Sequence, residues 1–391
     1  MPQSVRQSPS SQAARRSGSI ALQVGLVVIV GGIVYAAIHN AAQNLAQSHI
    51  TSGFGFWNNT AGFDISQTLI PYSPSVSTFG RAFWVGLLNT LLVAAIGIVL
   101  ATMLGFIVGI ARLSRNWLVA HLAGGYVELI RNVPLLLQIL FWYNAVLKSL
   151  PEIRGSVKMG DAILNNRGLF MPRPEFAPAF GVVLATLVAG IVAALIVRIV
   201  ADRRHDRTGK EFPKLWLTLA LVVGLPSVAF ALAGFPLTFS APHMGRFNVN
   251  GGTEVLPEFI ALVLALSIYT AAFIAEVVRA GLLAVSTGQI EAAHALALRP
   301  GATLRLIVLP QAMRVIVPPL TSQYLNLIKN SSLAVAIGYP DLVQVFAGSV
   351  LNITGQAVEV IAITMAVYLS ISLFTSLLMN FYARSVALAE R

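Results

Sequence analysis

Long apolar runs separated by short polar connections constrain the fold of this chain more than any other feature. Clear examples lie at residues 20–38, 83–110, 259–283 and 358–382. About 20 apolar residues suffice for a helix to cross the roughly 30 Å hydrocarbon layer of a membrane. Only 10% of the residues are charged and 56% are hydrophobic, which excludes an ordinary soluble domain. The sequence therefore predicts an all-α, polytopic membrane helical bundle.

We predict about eight transmembrane helices. The further runs lie near 126–150, 180–200 and 215–233, with one more that begins near Met313. The chain then divides into a disordered cytoplasmic tail at 1–19, a first transmembrane helix at 20–38, a periplasmic segment at 39–82, a transmembrane domain at 83–383 with an extra helix pair at 178–235, and a cytoplasmic tail at 384–391. The aromatic residues of the periplasmic segment favour a re-entrant or surface helix over a ligand cage.

The charge distribution predicts the topology. The net charge of +11 would indicate a nucleic-acid partner in a soluble chain. With the N-terminus in the cytoplasm and eight spans, however, 17 of the 26 Lys and Arg residues lie on cytoplasmic segments. This asymmetry is what the positive-inside rule expects. We predict a multi-pass protein of the bacterial inner membrane with both termini cytoplasmic and no nucleic-acid partner.

The most polar interruption of the C-terminal half is the stretch from Glu291 to Pro310. Ser286 and Gln289 have the spacing of a capping box, which predicts a helix that starts just before Ile290. Pro300 suits the first turn of a second short helix, and Pro310 is predicted to end it. Several alanines give the first helix a smooth side at Ala292, Ala293, Ala295 and Ala297. The residues alone leave two roles open: docking of another protein, or a helix that lies on lipid headgroups.

Glu128, Arg131 and Asn132 share one helical face through their i, i+3 and i+4 spacing. Pro134 is expected to kink the helix just beyond them. Charges at that depth are costly unless they are paired or hydrated. The face is therefore either part of a substrate path or an interface anchor made by Glu128 and Arg131. In a similar way, Glu276 and Arg279 are expected to form a paired couple at the interface.

A second polar stripe lies in the span that begins near Met313. Ser322, Asn326, Lys329 and Asn330 follow i, i+4, i+7 and i+8, so they stack on one side of a helix. Such a stripe would be unfavourable against lipid and should line a hydrated path or a subunit contact. Lys329 is expected to meet a substrate carboxylate, to snorkel to the interface, or to pair with an acid such as Asp341.

No pattern for catalysis is present. The chain has no cysteine and no G-x-x-x-x-G-K-[ST] phosphate loop, and its six histidines lack metal-ligand spacing. We predict that the protein is not an enzyme and binds no metal or cofactor. If it takes part in pumping, the ATP is bound by a separate polypeptide.

Two stretches resemble a known family. Glu291-Ala292-Ala293, followed by Ile307-x-Leu309-Pro310, is similar to the EAA loop of ABC importer permeases, which is the cytoplasmic helix gripped by the ATPase. That pattern has Gly where this chain has Ala297. The stretch from Glu128 to Gln138 resembles the E-x-x-R-x-x-P-L-L-x-Q stretch of polar amino acid permeases. The longer layout is similar to the larger permease of general L-amino acid importers.

The resemblance implies a type I ABC importer permease core with a cytoplasmic EAA coupling helix in a coupling loop at 284–311. It also implies a second permease subunit as a heterodimer partner, an ABC ATPase dimer and a periplasmic amino acid-binding protein. The residues carried over for ATPase coupling are Glu291, Ala292, Ala293, Ala297, Ile307, Leu309 and Pro310. The candidates for the substrate path are Arg131, Asn132, Ser322, Asn326, Lys329 and Asn330.

Three alternatives remain at this level. An ion-coupled secondary transporter would work alone, but no inverted repeat is evident and the EAA stretch argues against it. An importer of another small polar solute, such as an opine, would share every feature above. A membrane scaffold that does not transport would bind partners without any effect on uptake.

Overall fold

The computed structural model describes residues 23–33, 35–37, 39–40, 43, 53–208, 214–245 and 248–386 of the chain. The described chain is mostly helical, as predicted. The helices are α1 (Phe79–Ala111), α2 (Trp117–Asn132), α3 (Leu135–Leu140), α4 (Phe180–Thr208), α5 (Lys214–Leu219), α6 (Leu225–Leu232), α7 (Pro257–Leu283), α8 (Thr287–Ala295), α9 (Pro300–Thr303), α10 (Leu309–Asn330), α11 (Leu351–Thr354) and α12 (Ala357–Val386).

Several helices continue through tighter or wider turns. The π-helical segments are Phe141–Leu147 after α3, Ala220–Gly224 between α5 and α6, Leu304–Val308 before α10 and Val343–Val350 before α11. The 3₁₀ segments are Phe54–Asn58, Ile153–Gly155 and Ser331–Ile337. Residues 300–337 therefore form one long helical path in which α9, a π-helical segment, α10 and a 3₁₀ segment follow one another. A separate helical path runs from Val343 to Thr354.

Among the described residues, six helices are long and apolar enough to cross a membrane, or seven if one bent pair counts as a span. The predicted first span is described only in part, as the apolar helix Gln23–Ala37. The predicted tail at 1–19 and residues 387–391 of the C-terminal tail lie outside the described residues. The number of eight spans stays a prediction.

The run at 126–150, predicted as one span with a kink at Pro134, is divided between two helices that break at this proline. Asn116 caps the start of α2 because its side-chain oxygen accepts from the N–H groups of Leu118 and Val119. The helix ends at Asn132, Val133 is extended, and Pro134 precedes α3. The two helices meet at an angle of 104°. Proline explains the break because it lacks the N–H that would continue α2.

Short strands lie in the polar connections at 151–177 and 236–256. They are β1 (Val157–Met159), β2 (Ala162–Asn165), β3 (Gly168–Met171), β4 (Arg173–Phe176), β5 (Leu237–Ser240), β6 (His243–Met244), β7 (Val249–Asn250) and β8 (Thr253–Val255). One antiparallel sheet has the order β1-β2-β3-β8, while β4 pairs with β5 and β6 with β7. Strands from the two polar segments therefore pair with each other on both sides of the helices α4 to α6.

The chain divides into two compact units, and α1 and α12 each belong partly to both. The first comprises Met1–Leu91 and Pro340–Leu378. Its core is an aromatic cluster in which Phe346 lies 6.3 Å from Phe56, 5.8 Å from Trp57 and 5.3 Å from Phe83 between ring centroids. The surface helix expected within 39–82 is absent from residues 53–78, where one 3₁₀ turn buries Phe56 instead. Residues 44–52 lie outside the described part.

The second unit comprises Leu92–Tyr339 and Met379–Arg391, and α7 lies at its centre. A Cβ on Gly105 of α1 would stand 2.6 Å from Ile274 of α7, and a Cβ on Gly281 of α7 would collide with Ile316 of α10. Close approach at small residues is the usual way in which membrane helices pack. The hydroxyl groups of Thr102 and Tyr324, 2.8 Å apart, join α1 to α10.

Candidate functional site

The segment predicted to couple to an ATPase, here called the coupling segment, comprises residues 287–310 and begins with α8. Ser286 occupies the N-cap position, but its side chain makes no capping hydrogen bond, so the expected capping box is not formed. The helix starts at Thr287, and the N–H of Gln289 donates to the backbone oxygen of Ser286 at 3.1 Å. The helix therefore begins three residues before the predicted start near Ile290.

The end of α8 explains the one departure from the family pattern. Ala297 has a φ of +55°, in the left-handed region that favours glycine. The N–H of Leu298 donates to Ala293 O at 3.1 Å, and the N–H of Ala297 donates to His294 O at 2.9 Å. These two bonds are a Schellman motif. The family glycine therefore stands where the backbone turns, and this chain makes the same turn with alanine at some cost in strain.

The second piece starts as predicted and ends differently. Pro300 is the first residue of α9, with the extended Arg299 before it, so the bend near 299–301 is present. Pro310 does not end the helical path. It is the second residue of α10, and the helix continues past it. The coupling segment thus passes through π-helical turns directly into a long helix.

Most candidate coupling residues are open to contact. Glu291, Ala292, Ala297 and Leu309 are exposed, and Ile307 and Pro310 are half-buried. Ala293 differs because it is buried, with 1% of its surface exposed, so it faces inward and is not part of a smooth outer side. The surface carries further exposed leucines at Leu296, Leu304 and Leu306. This segment is therefore apolar, bent and uncovered within the described chain.

An ion-pair cluster lies at the end of α7 that precedes this segment. Glu276 accepts from Arg112, the residue directly after α1, and from Arg279 of α7, whose Nε lies 3.2 Å away. The paired couple predicted for Glu276 and Arg279 is confirmed, with Arg112 as a third member. Two guanidinium groups on one carboxylate hold the end of α1 to α7.

Arg131 and Asn132 occupy the last turn of α2, directly before the break. The guanidinium carbon of Arg131 lies 5.0 Å from the ring centroid of Phe273 in α7, within the range of a cation–π interaction. The Nδ2 of Asn132 donates to the backbone oxygen of Glu128 at 2.7 Å. Both side chains are exposed. The polar face therefore contacts α7 through Arg131 and stays accessible to solvent.

The stripe on α10 is accessible along its length. Ser322, Asn326 and Lys329 are exposed and Asn330 is half-buried. At Asn330 the α-helix changes to the 3₁₀ segment Ser331–Ile337. Lys329 makes no ion pair with any described residue, and no hydrogen bond between described residues joins this stripe to Arg131 or Asn132. The structure therefore places two exposed polar faces in the second unit without bringing them into contact.

Comparison with known proteins identifies the family to which this architecture belongs. Residues 212–388 match the family model described as "Binding-protein-dependent transport system inner membrane component". The general L-amino acid transport system permease protein AapQ of Rhizobium johnstonii is 54% identical over 95% of this chain and 93% of its own length. The chain belongs to this family of transport permeases.

Two further relatives cover nearly all of the permease. The putative amino-acid ABC transporter permease protein YhdX of Escherichia coli is 52% identical over 94% of both chains. The glutamate/glutamine/aspartate/asparagine transport system permease protein BztB of Rhodobacter capsulatus is 42% identical over 96% of this chain and 95% of its own length. Family membership implies an inner-membrane location and an ATPase and a binding protein as partners. It also shows that the permease is a transport protein and not an enzyme.

Three residues of the permease that the sequence analysis assigned no role join α7 to the broken span. The hydroxyl of Tyr126 donates to Ile268 O at 2.6 Å, and the hydroxyl of Tyr143 donates to Glu258 at 2.7 Å. The guanidinium group of Arg131 lies over the ring of Phe273. Tyrosines in apolar spans are a weak sequence signal, because the same residues also mark the membrane interface. Only the fold shows that they point towards α7.

Asp341, the acid considered as a partner of Lys329, has contacts in the first unit. It is fully buried, accepts from the N–H of Gln344 at 2.8 Å and from the hydroxyl of Tyr368 at 3.2 Å. Burial is the main cause that raises the pKa of Asp341 to about 7, against the lowering effect of these hydrogen bonds. Asp341 therefore acts in the packing of the segment that follows α10.

Proposed function

We propose that this permease moves L-amino acids across the inner membrane as the membrane-spanning subunit of an ABC importer. A separate ATPase supplies the energy, and a periplasmic amino acid-binding protein delivers the substrate. The names of three relatives that match nearly the whole chain support amino acids as the substrate class. A second permease subunit completes a heterodimer in this proposal, and both termini lie in the cytoplasm, which the excess of Lys and Arg on the predicted cytoplasmic segments supports.

The bent, uncovered segment from α8 to the start of α10 is the single observation that carries the proposal. It presents Glu291, Ala292, Ala297 and Leu309 to solvent and has exposed leucines beside them. Exposed leucines beside charged residues such as Glu291 favour contact with a protein partner over exposure to water. In the proposal, the buried Ala293 packs the inner face of the coupling segment against the rest of the permease. Ile307 and Pro310 lie where the segment continues into α10. Closure of the ATPase then moves α10 through a continuous helical path.

The path in this proposal runs along the two polar faces of the second unit. Arg131 and Lys329 offer cations for the substrate carboxylate, while Asn132, Ser322, Asn326 and Asn330 offer hydrogen-bonding groups. The absence of an ion pair on Lys329 among the described residues supports its availability for this role. Amino acids carry a carboxylate and an ammonium group, so a path needs both cations and oxygen acceptors.

Glu291→Lys tests the coupling role. We expect ATP-dependent uptake by the reconstituted importer to fall at least about tenfold, while membrane insertion stays normal, because a reversed charge on a docking surface is unfavourable for contact. Gln289→Lys is the matched control, since Gln289 is also exposed on α8 but points about 160° away from Glu291. Normal uptake by Glu291→Lys would contradict the proposal.

Lys329→Met tests the path separately from coupling. Uptake should fall while the ATPase still co-purifies with the permease, and Lys329→Arg should retain part of the activity because it keeps the charge. Uptake that is unchanged in Lys329→Met would remove Lys329 from the path. Transport by the permease alone, driven by an ion gradient, would instead favour the secondary transporter, and competition among candidate solutes would separate amino acids from an opine.

A further inference from the structure

Gln138 lies in the second half of the broken span and joins it to the first half. Its side chain is buried, with 6% of the residue's surface exposed. The Nε2 atom donates to Ile130 O at 2.9 Å and to Val133 O at 3.0 Å. Ile130 lies in the last turn of α2, and Val133 is the extended residue directly after it. One amide group thus bonds α3 to the last turn of α2 across the bend of 104°.

These two carbonyl groups need a donor for a definite reason. In a continuous helix, Ile130 O would accept from the N–H of residue 134, but that residue is Pro134 and has none. Val133 O would accept from Leu137, whose N–H donates to Pro134 O at 3.1 Å instead. The break therefore leaves both oxygens without backbone donors. The two hydrogens of one amide replace the two missing bonds.

The oxygen atom of the Gln138 amide argues against a role of this residue in packing alone. The Oε1 of Gln138 is buried and accepts no hydrogen bond from any described residue. Burying an unpartnered acceptor is unfavourable, so a residue chosen only to fill this space would be apolar. An apolar residue would remove both donors. A flipped amide would turn Oε1 towards two carbonyl oxygens, so the orientation is fixed by the break itself.

We propose that Gln138 is a positioning residue for the transport path, holding the last turn of α2 so that Arg131 stays over the ring of Phe273. The inference rests on the proposed function, because the path role of Arg131 and Asn132 belongs to it. Gln138 itself touches no substrate, since less than a tenth of its surface is accessible. It acts through the backbone that carries the two path residues.

A change from amide to carboxyl at position 138 gives a test in the assembled importer. Gln138→Glu keeps the shape but loses both donors when it is ionised, and it regains one when it is protonated. We expect ATP-dependent uptake, divided by that of the wild type at each pH, to be about tenfold low at pH 8 and to recover as the pH falls towards about 5.5. Gln138→Leu should stay low throughout.

Asn144→Asp is the matched control. Asn144 donates to Leu140 O at 3.1 Å in the π-helical continuation of α3, but it is exposed, so its change to a carboxylate should leave the pH profile like that of the wild type. The proposal is overturned if Gln138→Glu follows the wild type at every pH, or if it stays as low as Gln138→Leu at every pH. Gln138→Glu alone carries the test should Gln138→Leu not assemble.

A second readout separates this inference from the proposed function. The chain contains no cysteine, so Asn132→Cys provides a single site for a thiol reagent. With Gln138 replaced by Glu, we expect the labelling rate at pH 8 to change at least about threefold, because the last turn of α2 is released. If the wild-type complex imports no L-amino acid but the rates still differ, the proposed function fails and the positioning role stands. If uptake by Gln138→Glu, measured in a chain that keeps Asn132, is normal and the labelling rates are equal, the positioning role fails.

Discussion

The central helix α7 and the helix pair α4 with α5–α6 are both apolar enough to cross a membrane, yet they are packed very differently. In the most apolar stretch of α7, 61% of the residues are buried inside the protein, against 17% for α4 and 6% for the second helix of the pair. Hydrophobicity alone therefore does not show which membrane helix forms a core. Lipid is as apolar as leucine, so apolar side chains gain little by leaving it.

Small residues and polar bonds account for the difference. The helix α7 meets its neighbours closely at Gly105 and Gly281, and Glu276 fixes it to α1. In the pair, one close approach occurs where Gly190 meets the backbone of Leu221. The Thr186 and Ser227 hydroxyls bond to carbonyls of their own helices. Within the described chain, the pair therefore packs less tightly than the core around α7, which is held by specific contacts.

Gly281→Val should have the largest effect. The added side chain would collide with Ile316 in the core, and overpacking of a close helix contact costs about 1–3 kcal/mol or more. We expect a clear drop in the thermal unfolding temperature of the purified complex and a loss of uptake. Gly190→Val should separate the helix pair and affect uptake much less.

Gly181→Val serves as the control for the added volume, because no atom lies within 4 Å of a Cβ at Gly181. It should behave like the wild type in both measurements. Equal losses for Gly281→Val and Gly190→Val would show that the helix pair is as much a part of the core as α7.

Glu276→Gln should have an intermediate effect. It removes the negative charge that two half-buried arginines share, and breaking charged hydrogen bonds of this kind costs about 1–3 kcal/mol. Thermal unfolding of the single variants and of the double variant with Arg112→Gln forms a mutant cycle. We expect the combined loss to be smaller than the sum of the single losses. Strict additivity would mean that Glu276 does not hold α1 to α7.

Ala297→Gly should have the smallest effect and the opposite sign. The left-handed backbone at Ala297 costs a non-glycine residue about 1 kcal/mol, so glycine should slow hydrogen exchange in the coupling segment. Ala295→Gly, at the last residue of α8, is the matched control and should speed exchange, because glycine weakens a helix by about 1 kcal/mol. The same sign for both variants would contradict the turn described at Ala297.

Much of this architecture could be predicted from local chemistry. The apolar runs predict most of the spans, Pro300 predicts the bend in the coupling segment, and the i, i+3 spacing predicts the pair of Glu276 and Arg279. Pro134 predicts a kinked helix. The missing N–H of a proline does not determine the angle of the kink, so the break of 104° could not be predicted from the sequence. The role of Gln138 depends on that angle and was missed for the same reason.

The strands and the buried faces could not be predicted in this way. Strands of two to four residues are too short to show a period of two, and their pairs join segments far apart in the chain, such as β3 with β8. The burial of Ala293 depends on how the coupling segment folds back after Ala297. Each of these features is set by tertiary contacts and not by the local pattern.

The position of the coupling segment is the central claim, and single-cysteine labelling at His294 tests it most directly. His294 is exposed on α8, and the chain has no other cysteine, so His294→Cys gives one reactive site. We predict that a membrane-impermeant thiol reagent fails to label it in intact cells, labels it in inside-out vesicles, and labels it more slowly when the ATPase is bound. Labelling from outside intact cells would contradict the account.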